Sequence, residues 1–216
     1  METNWAAENL QTIRTLMERA ALYRRAVGPV SILVGIIGIA ASIIGQVLRV
    51  GYENLLFVPY WLVVAVIALV ASLVLVRRQA LSQGEAFWSP PSRRVAQAMF
   101  PGFLSGFVAG LIYFLAVRGM DALPILLAIL ISAWTICYGL ALHAASFFMP
   151  HRVRWFAWVL IILGLLIGLE FTVLHLLPLK VFGWLGFHGL MGIAFGVTHL
   201  VFGCLSLLAE SRNQTA

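Results

Sequence analysis

Five ionisable residues interrupt long apolar stretches in the second half of the chain. They are His143, Glu170, His175, His188 and His199. A charged group at the centre of a bilayer costs about 2.5 to 3.5 kcal/mol on insertion scales, so residues of this kind are paired or functional. Neutral histidine is less costly than carboxylate and can donate a hydrogen bond to a neighbouring helix. Each side chain is therefore either a link between helices or part of a polar site.

Three of these residues are predicted to share one leaflet. The chain turns back near Lys180, which places Glu170, His175 and His188 at similar depths on the two sides of the turn. Two imidazoles and a carboxylate suit several divalent metal ions, and such groups also relay protons. The spacing therefore predicts a proton or metal relay at these three residues.

Two histidine pairs, one in each leaflet, are the alternative prediction. His175 and His188 form the outer pair, and His143 and His199 form the inner pair because their predicted depths match. A b-type haem iron takes two axial imidazoles and its macrocycle needs space. Glycines beside the histidines of the last span offer that space. This alternative predicts haem b as the cofactor and electron transfer as the function, with all four histidines as ligands.

The catalytic motifs missing from the sequence argue against an enzyme. There is no G-x-S-G, H-E-x-x-H, P-loop or G-x-G-x-x-G motif. Serine proteolysis, zinc proteolysis and nucleotide chemistry therefore have no support from the sequence. We predict a non-enzymatic membrane component that assists a partner or handles a small solute, a proton or a metal ion, with its polar focus at Glu170, His175 and His188.

The composition shows which elements must position these residues. Hydrophobic residues make up 62% of the 216-residue chain and charged residues 10%, against about 25% charged in a soluble domain. A helix needs about 20 apolar residues to cross a bilayer. The sequence therefore predicts an all-α polytopic membrane protein in which six spans form three hairpins. The predicted spans are residues 27–48, 55–76, 99–117, 123–149, 153–177 and 184–208.

The predicted transmembrane domain covers residues 27–209. The segments at its two ends and the loop between its second and third spans are predicted to be cytoplasmic. Residues 1–26 have the periodicity of an amphipathic surface helix, residues 77–98 form a loop and residues 210–216 form a tail. Eleven Lys and Arg residues fall on one side of this topology and three on the other. The positive-inside rule therefore places both termini in the cytoplasm. We expect the protein in a bacterial cytoplasmic membrane.

A basic surface at the cytoplasmic face follows from this topology. Clustered arginines attract anionic lipid headgroups, and an aromatic Pro-Pro loop between them is a candidate docking point for lipid or a partner protein. No nucleic-acid partner is expected, because a positive excess in a membrane protein serves topology first. The candidate residues are Arg77, Arg78, Trp88, Arg93, Arg94, Arg152 and Arg154.

Glycines at four-residue spacing recur in the third, fifth and sixth spans. Small residues at this spacing let helix backbones approach each other in lipid, where hydrophobic exclusion does not drive association. The pattern predicts helix packing within one chain, and homodimerisation through the third span is the alternative. The glycines are Gly102, Gly106, Gly110, Gly164, Gly168, Gly192 and Gly196.

Overall fold

A computed structural model describes residues 26–51, 56–84, 87–117, 124–172 and 185–215 of the protein. These residues form six helices that are long and apolar enough to cross a membrane. The predicted all-α polytopic fold is therefore confirmed, while the side of the membrane that holds the termini stays a prediction. The predicted amphipathic helix, apart from its last residue, lies outside the described residues.

The six helices are numbered in chain order. The sixth consists of two α-helical segments, Gly186–Met191 and Thr198–Thr215, with a π-helical segment, Gly192–Val197, between them. The other helices are α1 (Ala26–Val47), α2 (Phe57–Ser82), α3 (Pro90–Ala116), α4 (Pro124–Ala145) and α5 (Arg152–Thr172), and the sixth is α6.

Helices extend into the segments that were predicted as loop and tail. α2 continues to Ser82 and α3 begins at Pro90, so most of the predicted loop of residues 77–98 is helical. Two prolines open α3 because the first turn of a helix leaves its N–H groups unpaired in any case. α6 likewise continues through most of the predicted tail, residues 210–216.

α1 packs antiparallel against α6 through small residues on both helices. A Cβ atom on Gly35 would come within 2.7 Å of the backbone nitrogen of Leu200. This close approach of two backbones gives the dispersion contacts that hold helices together in lipid. The contacts along this seam join Gly28 to Gly203, Gly38 to Gly196, Ser42 to Gly192 and Gly45 to His188.

A second set of close contacts joins α3 and α5 to α4. The Trp134 indole nitrogen of α4 donates to the carbonyl oxygen of Gly106 at 2.8 Å. On the other side of α4, the Ser132 hydroxyl donates to the carbonyl oxygen of Gly164 at 2.7 Å. The glycines of α3 and α5 thus contact α4 of the same chain, and homodimerisation stays a prediction.

The largest buried cluster lies at the end of the bundle where α2 and α6 begin. Phe57 and Trp61 from α2 meet Trp134 of α4, Ile167 of α5 and Leu190 of α6 there. The rest of α2 is mostly exposed along its length. The first turns of α2 therefore do most of the packing of that helix.

Candidate functional site

His188 is fully buried where α1, α2 and α6 meet. Its Nε2 atom lies 2.7 Å from the carbonyl oxygen of Val50, and the indole nitrogen of Trp61 donates to its Nδ1 atom at 3.2 Å. A carbonyl oxygen only accepts and an indole N–H only donates. The two bonds therefore assign a neutral imidazole with its proton on Nε2, which links α6 to α2 and to the turn after α1.

Aromatic rings and a glycine enclose the imidazole of His188. The ring centre of Phe57 lies 5.0 Å away, and Tyr60 packs edge-on at 5.6 Å. A Cβ atom at Gly45 would overlap the imidazole, so glycine is needed for α1 to pass this close. The Ser42 hydroxyl also donates to the His188 carbonyl oxygen at 2.7 Å. His188 is thus fixed through its ring and its backbone.

Glu170 lies on the inward face of α5. Buried positions on this helix recur at three- and four-residue intervals through Gly164 and Ile167, and Glu170 continues the series with 5% of its surface exposed. Ile167, one turn earlier, packs in the same cluster as Trp61 and Leu190. The carboxyl group is therefore carried inside the bundle, at the end that holds His188.

The predicted relay is only partly described. Glu170 and His188 are both buried, whereas His175 lies outside the described residues. In the described part of the chain, no group of three or more His, Cys, Asp and Glu side chains is placed to hold a metal ion. A metal ion at His188 has to displace Val50 or Trp61, because both ring nitrogens already form hydrogen bonds. The three-residue relay stays a prediction.

His199 is a second buried histidine, nearer the arginine-rich end of the bundle. Its Nε2 atom lies 3.0 Å from the Tyr138 hydroxyl of α4, and its ring packs edge-on against Phe156 of α5 at 4.8 Å. Its Nδ1 atom lies 3.5 Å from the hydroxyl of Thr198, the residue that follows the π-helical segment. π-Helical turns are rare and occur often at functional sites. His199 therefore links α6 to α4 and α5.

His143 occupies a different face of α4 from Tyr138. The two residues are five positions apart, which is about 140° around an α-helix. The His143 ring packs edge-on against Phe147 at 5.9 Å and Trp158 at 5.5 Å, not against His199. The rings of His143 and His199 are therefore not in contact with each other.

The glycine stripe of α6 is covered by α1. Gly38 lies against Gly196, and Ser42 lies against Gly192. A haem placed on this stripe requires α1 to move away. The dihaem alternative remains a prediction that depends on the sequence alone.

The candidate basic surface lies at the opposite end of the bundle from His188. All of its arginines except the half-buried Arg154 are exposed, and Trp88 is exposed beside the start of α3. Arg77 and Arg78 lie near the end of α2, Arg93 and Arg94 in the first turns of α3, and Arg152 and Arg154 in the first turn of α5.

No protein family model, no curated protein and no solved structure matches the chain. The function is therefore inferred from the geometry of the described residues.

The residues that contact the buried histidines were not predicted from the sequence. Trp61 and Tyr138 look like ordinary aromatic residues of apolar spans, and Val50 acts only through its carbonyl oxygen. A signal was available for α1, where small residues recur at three- and four-residue intervals from Gly28 to Gly45. That pattern indicates a close helix contact on one face.

Tyr138→Phe is expected to lower the free energy of unfolding by about 1 to 3 kcal/mol, because it leaves a buried nitrogen of His199 without its hydroxyl partner. Thermal unfolding in detergent, followed by circular dichroism, measures the change. Tyr113→Phe, at a half-buried position on α3, is the matched control and is expected to change stability by less than about 0.5 kcal/mol. Equal losses in the two variants contradict a stabilising role for the Tyr138 hydrogen bond.

Proposed function

We propose that the protein is a non-enzymatic membrane component that handles protons or a small cation at Glu170. The observation that carries this proposal is the position of Glu170 on the buried stripe of α5, where it is 5% exposed. The preceding positions on the stripe, including Gly164 and Ile167, are apolar. A glutamate there is costly to insert into a membrane, and such residues mark ion and proton pathways.

His188 supports the proposal because it places hydrogen-bonding groups at the same end of the bundle while its own ring carries no charge. Its neutral ring is hydrogen bonded at both nitrogens. Within the described ranges, Glu170 is the sole carboxyl group at this end of the bundle. Glu170 is therefore the group whose change of charge would respond to a proton or a cation.

The test is ion movement by the purified protein in phospholipid vesicles. A pH-sensitive dye inside the vesicles reports proton flux under an imposed pH gradient. The flux is measured first without an added cation and then with Na⁺, K⁺, Mg²⁺ or Zn²⁺ outside the vesicles. Glu170→Gln keeps the size of the side chain but cannot ionise, so we expect flux to fall to the level of protein-free vesicles. Glu170→Asp keeps a carboxyl group and is expected to retain part of the flux.

Glu210→Gln is the matched control, because it removes a carboxyl group at the other end of the molecule and is expected to keep full flux. Unchanged flux in Glu170→Gln contradicts the proposal. A loss of stability in Glu170→Gln with unchanged flux indicates a structural carboxyl group instead. Absence of flux from the unchanged protein with all of these ions also contradicts the proposal.

A further inference from the structure

The turn between α4 and α5 combines positive charge with exposed aromatic rings. His151, Arg152 and Arg154 lie within four positions at the start of α5. Phe147 is 66% exposed on one side of them and Trp155 is 65% exposed on the other. Aromatic side chains favour the level of the lipid headgroups, where one part of the ring is apolar and another meets water. The turn therefore has the composition of a membrane-interface segment.

Arg154 is held in a defined position by its neighbours. Its Nε atom donates to the Ser146 hydroxyl at 3.5 Å, and its Cζ atom lies 4.9 Å from the centre of the Phe147 ring. The Ser146 hydroxyl in turn donates to the carbonyl oxygen of His143 at 2.6 Å. Within the described residues, the two terminal nitrogens of Arg154 donate no hydrogen bond. They therefore remain able to bind two oxygens of one phosphate group.

Arg152 brings a second guanidinium group to the same turn. One of its terminal nitrogens donates to the carbonyl oxygen of Ser206 on α6 at 3.4 Å, and the side chain is otherwise exposed. The first turn of α5 contains no acidic residue, although negative charge is the favourable partner of a helix start. Both arginines and the helix start therefore favour an anion.

The surrounding charge has the same sign. Among the described residues at this end, Glu210 is the one carboxylate, while the arginines include the six of the basic surface and Arg212. Within the described ranges, positive charge therefore outweighs negative charge around the turn. An anion from the solvent or from the membrane is the complementary partner.

We propose that the turn between α4 and α5 binds the phosphate group of an anionic phospholipid through Arg152 and Arg154. The exposed rings of Phe147 and Trp155 favour a lipid over free phosphate, because they offer apolar surface to the glycerol and acyl-chain region. This site lies at the opposite end of the bundle from Glu170. It is independent of the function proposed for that residue.

The test compares lipid binding to two double variants of the full chain in detergent. Arg152→Gln with Arg154→Gln removes the proposed site, and Arg93→Gln with Arg94→Gln removes the same charge from exposed positions on α3. Fluorescently labelled phosphatidylglycerol is the probe, with phosphatidylcholine and inorganic phosphate as competitors. Loss of two cations is expected to weaken phosphatidylglycerol binding about 30-fold in the first variant. The second variant removes charge from the same basic surface but not from the proposed site, so it is expected to weaken binding less than the first variant does.

Three results overturn the proposal. Equal weakening in both double variants shows a diffuse attraction to the whole basic surface, and unchanged binding in the first variant shows that its arginines are not used. Competition by inorganic phosphate as strong as that of unlabelled phosphatidylglycerol overturns the assignment to a lipid.

Arg154→Lys keeps the charge but not the paired donors, so it should fold normally by circular dichroism and still bind more weakly. Full binding by this variant contradicts the two-oxygen contact.

Discussion

His188→Ala is expected to lower the free energy of unfolding by about 3 to 5 kcal/mol, among the largest effects of any single substitution in this protein. The imidazole is fully buried, so its removal leaves a cavity among the surrounding rings. It also leaves the indole N–H of Trp61 and the carbonyl oxygen of Val50 without their partner. Thermal unfolding in detergent, followed by circular dichroism, measures the loss.

His143→Ala is the matched control for this variant. His143 is half-buried, and its ring packs edge-on against Phe147 and Trp158. We expect its removal to cost about 1 kcal/mol. If His143→Ala lowers the free energy of unfolding as much as His188→Ala does, the result contradicts a special stabilising role of the His188 ring.

A double-mutant cycle separates the Trp61 hydrogen bond from the rest of the effect. Trp61→Phe keeps an aromatic ring but removes the indole N–H that bonds His188. If the two residues act as one unit, the losses of the single variants are non-additive, with a coupling of about 0.5 to 3 kcal/mol. Fully additive losses contradict the bond. If His188 instead serves mainly as a relay group, His188→Ala keeps its stability and loses ion flux in vesicles.

The six-span fold could be predicted because it depends on local properties of the chain. A run of about 20 apolar residues must satisfy its own backbone hydrogen bonds in lipid, and a helix does so without help from distant residues. The ends of the helices were less predictable. Arg77 and Arg78 mark the end of an apolar run. The helix nevertheless continues to Ser82, because charged side chains on its surface do not stop the hydrogen bonding of its backbone.

The buried positions of Glu170 and His188 could also be predicted from the sequence, because polar groups are costly to expose to lipid. The partners that contact His188 could not be predicted in this way. Val50 and Trp61 reach His188 from more than 120 positions away, and the periodicity of a helix indicates a face without naming the helix that covers it. The glycine stripe of α6 therefore looked like space for a cofactor, although α1 fills it with its own small residues.

Gly35→Ala tests this α1–α6 seam and is expected to lower the free energy of unfolding by about 1 to 3 kcal/mol. The added methyl group would lie 2.7 Å from the backbone nitrogen of Leu200 and 2.9 Å from the carbonyl oxygen of Gly196. Backbone atoms cannot rotate away as a flexible side chain can, so the two helices must separate. Their separation also weakens the bond between Ser42 and the His188 carbonyl oxygen.

Gly106→Ala is the matched control, because it makes the same chemical change in another apolar helix. Its added methyl group would lie 3.7 Å from Trp134 and 3.8 Å from Cys137, at ordinary contact distance. Alanine favours a helix over glycine by about 0.5 to 1 kcal/mol, so this variant is expected to be as stable as the unchanged protein or more stable. The gain in helix propensity is common to both variants. Opposite signs of the stability change, measured by thermal unfolding in detergent, therefore isolate the close approach of α1 and α6, and a gain in Gly35→Ala contradicts it.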